Sequence, residues 1–127
     1  MYLSASITST AGESYEMLDL LSLEVTMHDR LQALGYAEVE LQQASILGPP
    51  GTRFRGHQFC YSSLVEKSPV GHIYRLRKRR GGAIESEGFR EGNILGSYVH
   101  AHWASNPAIP QNFVQAACEK ALGIIPT

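Results

Sequence analysis

Apolar and polar positions alternate repeatedly along the first hundred residues, and one helical stripe follows. Leu23-Glu24-Val25-Thr26-Met27 alternates, and so does Tyr36-Ala37-Glu38-Val39-Glu40-Leu41. Successive side chains on a strand face opposite ways, so each run predicts a half-buried strand. Thr52 to Ser62 is aromatic and β-prone, and Gly71-His72-Ile73-Tyr74-Arg75-Leu76-Arg77 alternates strongly; both predict extended chain. Ile94 to His100 is a mostly apolar run of strand length. Residues 1–12 end in Ala11-Gly12 and read as a short helix or coil stopping at glycine. Tyr15 to Leu23 has no clean period, and His28 to Gly35 suits a turn as well as a helix. Ser45 to Gly51, with its Gly-Pro-Pro-Gly, is punctuation, and Gly88 to Asn93 is turn-rich. Pro110 stands near the start of Gln111–Leu122, whose apolar residues 113, 114, 117, 118, 121 and 122 form one helical stripe ended by Gly123. Cys118 on that stripe is expected to be a buried, inert thiol.

Several antiparallel-looking strands followed by one strand and one helix contain no clear βαβ unit, so a parallel sheet built from this chain alone would be poor. No internal repeat or low-complexity segment occurs. At 127 residues the chain is one domain at most, long enough to bury a core. A net charge of −1 gives no electrostatic footprint for nucleic acid or an anionic membrane. The one basic run, Arg75 to Arg80, is local and suits a solvated strand end or an anion patch. Two distant cysteines and the absence of a long apolar stretch point away from a disulfide framework and a membrane span, and toward a cytoplasmic protein. Met1 to Ser9 lacks the basic start and continuous apolar core of a signal peptide.

The chemistry concentrates at Gly96-Ser97-Tyr98-Val99-His100-Ala101-His102-Trp103. Residues i and i+2 of a strand face one side, so His100 and His102 could share a metal if the strand continues. A site needs further ligands, and His57, Cys60 and His72 are the available donors. Alternatively one histidine is a general base, which requires a nucleophile. Cys60 lies in an extended aromatic segment with no glycine-rich strand-to-helix turn to expose it, and no G-x-S-x-G occurs. A third reading is structural, with both histidines and Trp103 capping a strand.

Three segments together resemble the cobyrinic acid a,c-diamide synthase family, in the C-terminal part of its cobyric-acid-synthase-like glutamine amidotransferase domain. They are Leu34 to Val39, Gly51 to Ser62 (with Arg55-Gly56-His57-Gln58-Phe59-Cys60-Tyr61-Ser62) and Gly88 to His102 (with Glu91-Gly92-Asn93 and Ser97-Tyr98-Val99-His100). Met1-Tyr2-Leu3-Ser4 is similar to the stretch following the nucleophile elbow in those proteins. The resemblance covers nearly the whole chain, in the right order.

It implies an α/β fold, the second half of a flavodoxin-like class I glutamine amidotransferase domain with antiparallel strand additions. Family members release ammonia from glutamine through a cysteine thioester and pass it to an ATP-activated tetrapyrrole carboxylate. His100 matches the catalytic histidine; His57, Tyr61, Asn93, Tyr98 and His102 are the expected substrate-binding or supporting residues. Residues 1–127 would be a partial domain without the elbow cysteine or the ATP-binding domain, and Mg-ATP would belong to the missing portion. The chain departs from the family at Gln58, where glutamate is usual, and at Cys60, where histidine is usual. In triad amidotransferases an acid two positions past the histidine orients it; His102 stands there, as expected of this branch. The implied function is the glutaminase portion of an amidotransferase in cobalamin biosynthesis, silent alone and partnered by glutamine and the missing portion or a second subunit. The rival is a non-catalytic module binding a tetrapyrrole through His57, His72 or His102 and the Arg75–Arg80 run. An exposed sheet edge would favour homo-oligomers.

Overall fold

The structure is a computed structural model and describes residues 1–79 and 81–123; Arg80, the end of the basic run, lies outside them. The described chain runs through ten strands and one helix. The strands are β1 (Ser6–Thr8), β2 (Ser14–Glu16), β3 (Leu23–Met27), β4 (Ala33–Leu41), β5 (Arg53–Cys60), β6 (Ser62–Glu66), β7 (Gly71–Lys78), β8 (Glu85–Glu91), β9 (Ile94–Gly96) and β10 (Val99–Ala101). A 3-10 turn at Trp103–Ser105 precedes helix α1 (Ala108–Ala121). This is a mixed α/β fold made mostly of strands. Four strands form one sheet in the order β2-β1-β3-β6, and six form another in the order β10-β5-β4-β7-β8-β9. The β1–β3 pair is parallel, and every other ladder among the described residues is antiparallel.

The larger sheet closes on itself. β9 and β10 stand at its opposite edges, yet only Ser97 and Tyr98 separate them in sequence. Three Cα–Cα steps span at most about 11 Å, so the two edges must lie that close. Alternation then decides what fills the interior. Ala37, Val39 and Leu41 of β4 face inward, with Phe54 of β5, Tyr74 and Leu76 of β7, and Val99 of β10; Ile73, beside Tyr74 and so outside the alternation, is also fully buried in this cluster. Ile109 of α1 completes this core, and the Phe54 and Tyr74 rings meet edge to face at 5.6 Å. A second cluster of Leu21, Leu23, Val70 and Phe89 lies where the two sheets meet.

Strands appear at 23–27, within 33–41 and at 71–78, where alternation predicts them. Four expectations need correction. Residues 1–12, read as a short helix or coil, contain the strand β1, because Ser6–Thr8 pairs with both β2 and β3; the rest of the segment is turn and coil. The segment containing Gly88 belongs to β8, and the turn comes only at Gly92 and Asn93. Gly88 has φ +71°, and a Cβ there would lie 2.5 Å from the Tyr74 ring, so this glycine serves close packing within a strand. The run 94–100 breaks into two strands at Ser97-Tyr98, where the sheet closes.

The fourth correction concerns the helix face. α1 begins at Ala108, where the Asn106 side-chain oxygen accepts the Ala108 N–H at 3.1 Å. Its buried side carries Ile109, with Asn112, Ala116 and Glu119 half-buried. The predicted stripe faces outward: Phe113, Val114, Ala117, Cys118 and Ala121 are exposed. Cys118 is therefore an accessible thiol, whereas Cys60 is buried. The physical reason is that Ile109 in the core and Asn112, whose Nδ2 donates to the Leu47 carbonyl at 3.0 Å, dock the opposite side of the helix, leaving the apolar stripe to solvent except where Trp103 packs on Phe113.

Candidate functional site

β10 is the edge strand that carries His100, and β5 is its neighbour. Their register places His100 opposite His57, and the β4–β5 register places Tyr36 opposite His57 in turn. Three side chains from three strands thus line up on the outer face of the sheet. Tyr36 and His57 touch edge to face with ring centroids 5.3 Å apart. The next row holds Arg55, Glu38 and Arg77, with Arg55 and Glu38 3.9 Å apart. One step the other way on that face, Leu34 lies opposite Phe59, and both are exposed.

The loop after His100 is stitched back to β5. The His102 N–H donates to the Arg55 carbonyl at 2.8 Å, Ser105 Oγ accepts the Arg55 N–H at 2.9 Å, and Asn106 Nδ2 donates to the Arg53 carbonyl at 2.8 Å. These bonds satisfy edge groups of β5 beyond the end of β10. They also hold His102 beside His100 after the strand has ended. An open depression of about 760 Å³ results, lined by His57, His100 and His102 together with Tyr36, Arg55, Arg77 and Arg79.

Of the six residues singled out from sequence, these three histidines come together and the other three do not. Tyr61 is exposed between β5 and β6 and packs edge to face on Phe59 at 5.6 Å. Asn93 lies in the β8–β9 turn, on a separate cavity of about 450 Å³ shared with Arg90 and Asn112. Tyr98 turns inward, its hydroxyl 2.6 Å from Ser62 Oγ. Burial pushes its pKa up, partly offset by the Ser62 hydrogen bond.

The other potential donors are elsewhere. Cys60 projects to the inner face of β5, opposite to His57, and its thiol reaches the Ser62 carbonyl at 3.7 Å. Gln58 shares that buried face, so both departures from the family pattern alter the interior rather than the histidine row. His72 Nε2 is engaged with Glu66 at 2.5 Å, and this hydrogen bond holds the Glu66 carboxyl below its ordinary range. Among the described residues, no group of three or more His, Cys, Asp or Glu side chains is placed to share a metal.

The arrangement offers an accessible imidazole beside a second imidazole, with a rim in which Arg55, Arg77, Lys78 and Arg79 outnumber the one acid, Glu38, and so suits a carboxylate. Neither cysteine of the chain lines the depression. Arg77 and Arg79 belong to the basic run singled out from sequence, and they do line the depression. Sequence reasoning missed Tyr36 and Arg55, because only strand register brings them to the histidines. It also missed Glu87, a buried acid of β8 that binds the chain just before His100.

Residues 1–108 match the CobB/CobQ-like glutamine amidotransferase domain. A cobyrinate a,c-diamide synthase of Leptospira interrogans is 47% identical over 122 residues, covering 94% of this chain and 27% of that protein. The corresponding protein of Salmonella typhimurium is 33% identical over 120 residues, covering 92% of this chain and 26% of its own length. That of Haloarcula marismortui is 34% identical over 105 residues, covering 83% and 24%. The chain spans about a quarter of the length of these curated relatives. With its sequence matched over most of its length, the chain belongs to the CobB/CobQ-like glutamine amidotransferase domain family.

Proposed function

We propose that this chain supplies the histidine half of a glutaminase site in an amidotransferase of the cobyrinate a,c-diamide synthase type. The observation that carries the reading is His100, exposed on an edge strand and opening onto the depression it shares with His57 and His102. In the proposed reaction, a cysteine thiolate from outside these 127 residues attacks the glutamine side-chain amide carbon. His100 keeps that cysteine ionised and protonates the departing ammonia. Water then cleaves the thioester to glutamate. The cationic rim suits the α-carboxylate of glutamine. Mg-ATP and the tetrapyrrole acceptor would bind elsewhere in the assembled enzyme. Within this reading the chain is the second half of a flavodoxin-like domain, and the parallel β1–β3 pair is the feature that favours it.

The test is reconstitution. This chain is combined with a polypeptide corresponding to the preceding portion of the Leptospira relative, and glutamate release is measured. His100→Ala should lower turnover about 10²–10⁴-fold, the range for removing a general acid–base, whereas His102→Ala should cost less than about tenfold. Equal losses would overturn the division of roles.

One observation favours a second reading, a tetrapyrrole-binding module. His57 and His102 share the depression with Arg55, Arg77 and Arg79, which pairs metal-ligating imidazoles with cations for propionate or acetate groups. His72, held by Glu66, has no part in it. A Soret shift on adding a metallotetrapyrrole to the chain alone supports this reading, and an unchanged spectrum removes it.

A further inference from the structure

The position two past His100, where triad amidotransferases carry an orienting acid, holds His102. The structure provides an acid by another route. Glu87 of β8 is 7% exposed, and it faces the Ser97-Tyr98 corner through which β9 becomes β10. Both of its oxygens are used there. Oε2 accepts the Ser97 hydroxyl at 2.7 Å, and Oε1 accepts the Tyr98 N–H at 2.7 Å. Ser97 Oγ in turn accepts the Val99 N–H at 2.9 Å, extending the restraint to the residue before His100. From the other side, the Tyr98 hydroxyl is tied to Ser62, itself buried. Val99 is then wedged against Gly56, where no side chain intervenes.

Burying a carboxylate is costly, and burial pushes the Glu87 pKa up despite the hydrogen bonds from Ser97, Tyr98 and Gly88 that draw it down. An apolar residue would fill the space at lower cost but could accept neither donor. The corner needs an acceptor because a strand crossing from one sheet edge to the other leaves its N–H groups outside both ladders.

We infer that Glu87 is the positioning residue for His100: by holding Ser97 and Tyr98 it fixes where β10 begins and hence where the imidazole meets the depression. The inference rests on the reading of His100 as the base of the site. Glu87 does not touch the reacting atoms and acts only through backbone.

The experiment compares Glu87→Gln and Ser97→Ala with the unaltered 127-residue chain. Glutamine keeps the volume and one acceptor but presents an NH₂ group to the Ser97 hydroxyl; the serine variant removes the relay to Val99. Far-UV circular dichroism and a cooperative urea transition establish that each variant folds. Amide exchange at Tyr98, Val99, His100 and Ala101 should then quicken by roughly tenfold or more, the scale of one lost hydrogen bond. The His100 ring resonances should shift while those of His28, bonded to Ser63 in the other sheet, stay in place. In the reconstituted glutaminase, Glu87→Gln should lower kcat at least about tenfold and leave the KM for glutamine within about twofold, since binding groups are untouched. Wild-type exchange and His100 resonances in both folded variants would overturn the inference. If His100→Ala leaves hydrolysis intact, the reading of the site fails instead. The spectra, which need no activity, tell the two failures apart.

Discussion

Gly56→Ala tests how closely the histidine strand must approach the sheet. Gly56 lies on β5 opposite Ala101, on the face turned inward. A Cβ there would stand 2.3 Å from Val99 Cγ1 and 2.9 Å from the His100 carbonyl oxygen. Carbon atoms pack at about 3.5–4.0 Å, so the valine methyl must retreat by roughly 1.2–1.7 Å. The carbonyl, being backbone, can yield only if β10 moves as a unit. β5 is held on its other side by the long β4 ladder, and β10 by three pairs, so β10 is what gives way. Overpacking of this size costs about 1–3 kcal/mol, against about 0.4–1 kcal/mol gained from stiffening the unfolded chain. The steric cost wins, and a net loss of about 1–2 kcal/mol lowers Tm by roughly 4–8 °C for a chain of this size. Urea and thermal unfolding, followed through the single tryptophan, Trp103, measure it. Gly71→Ala is the control, since its added Cβ meets only the Arg90 carbonyl at 3.3 Å, and its effect should stay within about 0.5 kcal/mol. An unchanged or raised midpoint for Gly56→Ala, with wild-type Val99 methyl shifts, would refute the close approach.

Gly88→Ala should cost more, about 2–5 kcal/mol, because it adds left-handed strain at φ +71° to a 2.5 Å clash with the Tyr74 ring; urea denaturation gives the number. A pH series reports on Glu87. Burial raises its folded pKa above the ordinary 4.5, so the folded state binds the proton more tightly, and stability falls as pH rises from about 4.5 through the folded value before levelling. Glu87→Gln should flatten that slope. The loss below pH 4.5 that comes from Glu66, whose pKa is lowered by His72, should persist. The exposed face of α1 predicts self-association: Phe113, Val114 and Leu122 are 41%, 57% and 75% exposed, and Trp103 packs on Phe113 at 6.0 Å. Light scattering should give a mass above 14.0 kDa that falls toward it in Phe113→Ser/Val114→Ser; a wild-type monomer would be the contrary result.

Much of the strand content was legible because alternation is a local property. Leu23 to Met27 and Gly71 to Arg77 show it plainly, and both are strands. The same period, followed along β5, sets His57 and Cys60 on opposite faces, so the two donors named together from sequence do not meet. Family membership was equally legible, since Arg55 to Ser62 and Gly88 to His102 carry it in a few residues. The helix was legible as a helix, but its docked face was not. A 3.6-residue stripe through Phe113, Val114 and Cys118 marks the most apolar side, and Ile109 with the Asn112 hydrogen bond decided which side faces the core.

What tertiary structure decided was non-local. Ile94 to His100 reads as one strand, yet the closed sheet needs a corner at Ser97-Tyr98, so its halves pair with β8 and β5 at opposite edges. Glu87 becomes an anchor only once that corner exists; in Glu85-Ser86-Glu87-Gly88 nothing sets it apart from its neighbours. The row Tyr36, His57, His100 likewise depends on the register of three strands separated by up to 64 positions in sequence. A hydrophobic period determines which residues of a strand share a face. Which strands then lie side by side, and in what register, depends on loop closure and core packing across the whole chain, and that is where this site was made.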